Sequence, residues 1–270
     1  MTQAKRHRRR AGRRSRWNRR RRRVAILVGA AIVAALVVAT LPLLLTRGSA
    51  GPSGPRAAVV DQLGLTQPNP AFVQAATSIL EEAGYTVDYY PGEQVTVDFY
   101  RNLPSLGHKL VVLRIHSGPS TKGDYLGLFT AEPYVETEHA AELGQRHLGS
   151  GRYYEGGPAY FAIGPDFVRS TMQGRFKDSI VIMMGCYGMS YERPTLDFIG
   201  KGAKAVIGWD GTVSAEHTDE ATEHLLRHLV IDKLDAVEAA ARTMNEVGPD
   251  PSYGSELLVY PPEAAASTVR

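Results

Sequence analysis

The chain has 270 residues with a formal net charge of +3, yet that charge is an average of two opposite regions. Lys5 and twelve arginines crowd residues 1–23 without one acid; setting these thirteen and Arg47 aside leaves 17 basic against 28 acidic residues, so everything after Gly48 is near −11. An acidic body argues against nucleic-acid binding, and one cysteine, Cys186, excludes an internal disulfide framework.

After the basic tail, Val24 to Leu45 is an uncharged run of 22 residues. At 1.5 Å rise per helical residue it reaches about 33 Å, enough to cross a hydrocarbon core of roughly 30 Å. Residues 24–46 therefore read as one transmembrane helix. Arginines beside a span are retained in the cytoplasm, which puts the remainder of the chain outside the cell membrane as a single-pass protein. A cleaved signal peptide would carry a shorter apolar region, and the paired arginines lack a twin-arginine context. The basic tail suits topology and anionic lipid headgroups better than nucleic acid. Residues 47–55, rich in Gly, Ser and Pro, read as a linker, with a domain over 56–262 and a short tail at 263–270.

Within the domain, strands and helices alternate. Ala57 to Leu63 reads as a strand. Asn69-Pro70 supplies an N-cap and a first-turn proline for a helix through Ala83, which Gly84 ends. Tyr85–Tyr90 is a strand, Thr96–Asn102 a short helix, and Lys109–Ile115 an apolar strand of the kind that two-sided burial demands. Asp124–Phe129 reads as a strand, Val135–Leu148 as a helix, and residues 152–162 as a hairpin turned at Gly156-Gly157. Tyr153, Tyr154, Tyr160 and Phe161 suit a half-buried hairpin face more than a cleft lining. Ser179–Met184 is a second apolar strand. Arg193–Ile199 reads as a helix, Ala203–Trp209 as a strand, Ser214–Val230 and Leu234–Val247 as helices, and Leu257–Tyr260 as an edge strand. The expected fold class is α/β, a three-layer sandwich around a mostly parallel central sheet.

Both apolar strands run into reactive side chains: Ile115 into His116-Ser117-Gly118, and Met184 into Gly185-Cys186. The carboxyl ends of neighbouring parallel strands share one crevice, where open α/β sheets place their chemistry. In that arrangement Cys186 is the nucleophile and His116 the base that takes and returns its proton. The amides of Gly118 and Cys186 are the expected oxyanion donors. An inert core cysteine is the bland alternative, and the position at the sheet rim weighs against it.

The pattern strand-His-Ser-Gly, an insertion, strand-Gly-Cys-x-Gly and then Phe198-Ile-Gly-Lys-Gly-Ala-Lys-Ala-Val-Ile-Gly-Trp209 resembles the caspase-hemoglobinase fold of clan CD cysteine peptidases, the group of clostripain, gingipain, separase and CHAT-domain proteins. The resemblance spans roughly Ala57 to Tyr260. It implies a His116/Cys186 dyad that cleaves a peptide bond through a thioester, without metal or organic cofactor. This chain departs from the pattern in having Ser117 directly after the histidine, and Met184 where clostripain-like enzymes hold an aspartate for a basic P1 residue. Gly208-Trp209-Asp210 resembles the Leu-Trp-Asp stretch of separase, which implies Asp210 as a substrate-binding acid with Trp209 flanking the pocket. A capping role for Asp210 in a turn ahead of the Ser214 helix weighs evenly with that, and for Trp209 a core place is preferred over the pocket.

His217, His224 and His228 fall near one line of the long helix, but the glutamate of a His-Glu-x-x-His motif is missing, so a solvated face is preferred over a metal. No Gly-x-Ser-x-Gly elbow surrounds Ser117 or Ser190, and no dinucleotide fingerprint follows the first strand. The expected function is a membrane-anchored cysteine endopeptidase acting on peptide or protein. The competing class is a non-catalytic, membrane-tethered domain that binds a peptide or protein in the same crevice.

Overall fold

The structure, a computed structural model, describes residues 54–262. The expected transmembrane helix, the basic tail and the tail at 263–270 lie outside those residues. Among the described residues, no helix is long and apolar enough to cross a membrane.

Six strands form the central sheet: β1 (Arg56–Asp61), β2 (Thr86–Pro91), β3 (Leu110–Arg114), β8 (Ser179–Met183), β9 (Ala203–Trp209) and β10 (Leu257–Tyr260). Their order is β10-β9-β8-β3-β1-β2, and every pairing is parallel except that of β10 with β9. A second, antiparallel sheet is inserted between β3 and β8. It contains β4 (Ser117–Pro119), β5 (Leu126–Pro133), β6 (Leu148–Gly151) and β7 (Tyr160–Ile163), in the order β4-β5-β7-β6. The helices are α1 (Pro70–Glu82), α2 (Val97–Asn102), α3 (Ala140–Gly144), α4 (Glu192–Gly200), α5 (Ala215–Leu226) and α6 (Ala236–Val247).

Side chains alternate across a strand, and here both faces are dry. Val59, Val112, Ile182 and Ile207 face a core shared with α1, α5 and α6. Val60, Val111, Val181 and Val206 face the opposite core, built with Tyr100 of α2, Phe198 of α4, and Leu128, Phe161 and Ile163 of the inserted sheet. Each such aliphatic residue removed from water contributes about 1.5–3 kcal/mol, which is why these strands read as continuous apolar runs.

Local signals set the helix ends. The Asn69 side chain accepts the Phe72 amide at 3.1 Å, with Pro70 at the first helical position, and Thr96 caps α2 through the Phe99 amide. Such a cap contributes about 1 kcal/mol. Gly84 turns the chain at φ +88.

The expected elements outside the inserted sheet match the structure closely. The insertion differs. The helix expected over Val135–Leu148 is confined to Ala140–Gly144, because the chain enters the left-handed region at His139 (φ +50) and again at Arg146 (φ +59), and helical geometry cannot continue through either. The hairpin strands are Leu148–Gly151 and Tyr160–Ile163, with 152–159 as their loop. Ser117–Pro119, just past the end of the expected strand, forms β4 against β5. The long helix after Ser214 changes at Arg227–Ile231 into a π turn.

Candidate active site at the carboxyl edge of the parallel sheet

Strands β3 and β8 are neighbours, paired Leu113 with Met183, and the Met184 amide continues the ladder onto the Leu113 carbonyl at 3.0 Å. His116 and Cys186 each stand three residues beyond that pair, so the backbone delivers them in register to the same edge. Gly185 makes this approach possible: a Cβ there would collide with Ser117 Oγ and lie 2.5 Å from the Ile115 carbonyl oxygen. Ser117 Oγ donates to the Cys186 carbonyl at 2.6 Å and ties the two strand ends together.

The side chains of the pair then turn to different surroundings. The Cys186 thiol faces the Val213 carbonyl at 3.7 Å and packs, half-buried, against the core beneath α1, α5 and α6. Tyr187 follows in the left-handed region at φ +62, and its amide donates to Gly211 at 2.8 Å. The His116 ring leans towards the inserted sheet. It stacks on Tyr153 with centroids 5.0 Å apart and planes 14° apart, and Tyr153 stacks in turn on Tyr160 at 4.1 Å. His116 Nε2 lies 2.7 Å from Thr66 Oγ1, whose hydroxyl donates to the Leu63 carbonyl at 3.3 Å. With the Thr66 proton on the Leu63 carbonyl, the ring proton stands on Nε2 and Nδ1 is the basic nitrogen. The His116 amide donates to Gln62 Oε1 at 2.7 Å. No hydrogen bond among the described residues joins the imidazole to the thiol.

Burial of the ring, reinforced by the Arg114 cation, pushes the His116 pKa down from 6.5 to about 4. The imidazole is therefore neutral at pH 7, suited to accept a proton and unsuited to a standing imidazolium–thiolate pair. Arg114 is itself buried, with Nη1 2.7 Å from Asp61 Oδ1 and Nε 2.7 Å from Asp219 Oδ1. It occupies the point between β1 and β3 where the strand order reverses, the usual crevice of an open α/β sheet.

An open cleft of about 550 Å³ runs past His116, lined also by Ser117, Gly118, Phe129, Gly151 and Tyr153. Cys186 lies outside that lining. Gly118 departs from its expected role. Phe129 N donates to His116 O, and Ser120 N to Tyr125 O. Antiparallel alternation between those two bonds sets Gly118 as a hydrogen-bonded partner of Gly127, so its amide belongs to the β4–β5 ladder. The Cys186 amide is the remaining one of the two expected backbone donors.

Trp209 does not line the cleft beside His116. It is fully buried, its Nε1 donating to Thr218 Oγ1 at 2.8 Å, and Thr218 donating in turn to the Met184 carbonyl at 3.0 Å. The indole fills the core under β8 because β9 alternation turns it towards α5. Asp210, next along, is exposed, and its Oδ1 accepts the Glu256 amide at 2.8 Å. That bond joins the end of β9 to the segment entering β10, whereas the Ser214 amide at the start of the next helix is accepted by Asp250 Oδ2 at 2.8 Å.

Sequence reasoning missed Gln62, Thr66 and Arg114. Their signal was position: Gln62 and Thr66 follow the first strand, and Arg114 is the one charged residue within an otherwise apolar strand. A charge in such a strand stays only if it is paired.

Comparison with known proteins adds no relative: no protein-family model matches the chain, and no curated protein matches it.

Proposed function

We propose that this protein is a caspase-like cysteine endopeptidase, anchored in the membrane by residues 24–46, with His116 as base and Cys186 as nucleophile. The observation that carries the reading is the register of the two residues at the carboxyl ends of adjacent parallel strands, beside a cleft that passes His116. Neighbouring strands lie about 4.8 Å apart, a span that a histidine and a cysteine side chain can bridge.

The reaction needs one rearrangement. The thiol exchanges the Val213 carbonyl for the imidazole by rotating about its Cα–Cβ bond. A thiol is a weak donor, and the bond given up is 3.7 Å long, so the exchange costs little. Catalytic hydrogen bonds commonly align only when substrate is bound. The neutral imidazole takes the thiol proton as sulfur attacks the scissile carbonyl carbon. The Cys186 amide stabilises the oxyanion, and the imidazolium returns the proton to the leaving amine. Water, deprotonated by the same ring, then hydrolyses the thioester.

The second reading is a non-catalytic domain that binds a peptide in the cleft. It draws on the bonds of thiol to Val213 and imidazole to Thr66, which leave the two unpaired with each other.

Alkylation of the full chain, purified in detergent, by iodoacetamide at pH 7 separates the two, together with cleavage of fluorogenic peptides carrying Arg, Lys, Asp or Asn at P1. An endopeptidase loses kcat/KM by roughly 10⁴-fold in Cys186→Ala and comparably in His116→Ala. A thiol no faster than free cysteine, unaffected by His116→Ala and accompanied by no cleavage, leaves the binding reading. Asp210→Asn tests whether that exposed acid contributes to a preference for basic P1 residues.

A further inference from the structure

The far end of the α5–α6 layer holds a cluster that the cleft does not use. His224, His228 and Glu246 bring one nitrogen or oxygen each to within 4.8 Å of one another. His224 Nδ1 and His228 Nε2 both point at the same atom, Glu246 Oε2, at 2.8 and 3.0 Å. Of the three histidines aligned on the long helix, His217 is not part of this group: its Nε2 meets the Gly248 carbonyl at 3.1 Å and its ring packs on Trp209. Glu246 comes instead from α6, a residue that helix spacing along α5 alone does not reveal.

We propose that His224, His228 and Glu246 form a binding site for a divalent transition-metal cation of the zinc class, clasping α5 to α6. Two imidazoles and a carboxylate, with a fourth position left to water, are a recognised donor set for such an ion. Ligand atoms around a tetrahedral ion with bonds of about 2.1 Å stand about 3.4 Å apart. The two separations from Glu246 Oε2 open by a few tenths of an ångström to reach that, and the separation between the two rings closes.

Two further features prepare the site. His228 is buried, and its other nitrogen, Nδ1, lies 2.8 Å from Asp232 Oδ2. A carboxylate on the far side of a ligating histidine holds the tautomer and the ring orientation that metal binding requires. His228 and Asp232 are four apart, and they straddle the π turn Arg227–Ile231, where the Asp232 amide bonds back to the Arg227 carbonyl. Such turns concentrate at functional positions. Arg242 Nε bonds Glu246 Oε1 at 3.3 Å, which keeps the other oxygen aimed at the histidines.

The test is titration of the metal-stripped full chain with zinc chloride, followed by calorimetry and thermal melting, and with cobalt chloride, followed by visible absorption. His116 and Cys186 are a competing place for a soft metal, so the titration is run in parallel on a His116→Ala/Cys186→Ser variant. The expected result is about one equivalent of zinc bound in both proteins, with Tm raised by about 5 °C at a hundredfold excess over Kd. His224→Gln and Glu246→Gln each abolish that binding. Asp232→Asn weakens it by roughly 10- to 100-fold. His224 and Glu246 are substantially exposed, so their variants fold without metal, and an unchanged metal-free Tm verifies this. Magnesium and calcium, which prefer all-oxygen sites, leave Tm unchanged. The proposal is overturned if zinc fails to bind, if binding persists in both His224→Gln and Glu246→Gln, or if it disappears in the His116/Cys186 variant.

Discussion

The end of β3 and the end of β8 are equivalent in backbone terms and opposite in surroundings. Past Leu113, the chain gives His116 to an aromatic stack and an open cleft on the side of the inserted sheet. Past Met183, it gives Cys186 to a carbonyl and an apolar core on the side of the helices. The difference teaches that register delivers residues to a shared edge, whereas the layer packed on each face decides where their side chains turn.

The largest expected effect comes from breaking the foundation beneath both ends. Arg114 is held by two carboxylates and the Gln67 carbonyl with almost no exposure. Arg114→Ala leaves Asp61 and Asp219 buried without their cation, so chemical denaturation should show a loss of about 3–5 kcal/mol. Next is the contact between the strand ends. Gly185→Ala forces a methyl against Ser117 Oγ and the Ile115 carbonyl. Overpacking of this kind costs about 1–3 kcal/mol, and the backbone contact puts it near the upper figure. The same variant should slow peptide cleavage, since it separates His116 from Cys186; unchanged stability and cleavage would show that the ends do not meet closely.

The pH dependence sharpens the contrast on the His116 side. Between pH 6.5 and about 4 the unfolded imidazole binds a proton that the folded one rejects. Stability is therefore fully present above that window and falls as pH drops through it, by roughly 2 kcal/mol once solvent around the ring is discounted. The acidic limb of kcat/KM should likewise lie near pH 4, and Tyr153→Ser, by admitting water to the stacked face, should move it upward. An acidic limb near 6.5 in the unaltered protein would contradict the burial of the ring. The smallest expected effect is Ser117→Ala, which removes the bond to the Cys186 carbonyl and should cost about 0.5–1.5 kcal/mol in urea unfolding.

Much of this architecture was legible in the chain. The apolar runs at 109–115 and 179–184 declared two-sided burial, Asn69-Pro70 declared a helix start, and Leu257–Tyr260 was recognisable as an edge strand. The insertion was less legible because its elements are short and held by side-chain bonds across sequence: His139 to Glu132, Arg101 to Glu142, Tyr153 to the Thr130 carbonyl. No local periodicity encodes such partners. Trp209 was more legible: a core place was preferred for it in the sequence, and alternation along β9 turns it inward.

By itself, the amino-acid order determined the alternation of strands and helices, the dry faces of the central sheet, and the delivery of a histidine and a thiol to strand ends. These depend on periods of 2 and 3.6 and on caps within a few residues. Only the tertiary structure decided that Gly118 spends its amide on a ladder, that Arg114 joins Asp61 to Asp219, and that Glu246 meets two histidines from another helix. Each of those outcomes joins groups distant along the chain, and their contact follows from how layers pack rather than from any spacing between them.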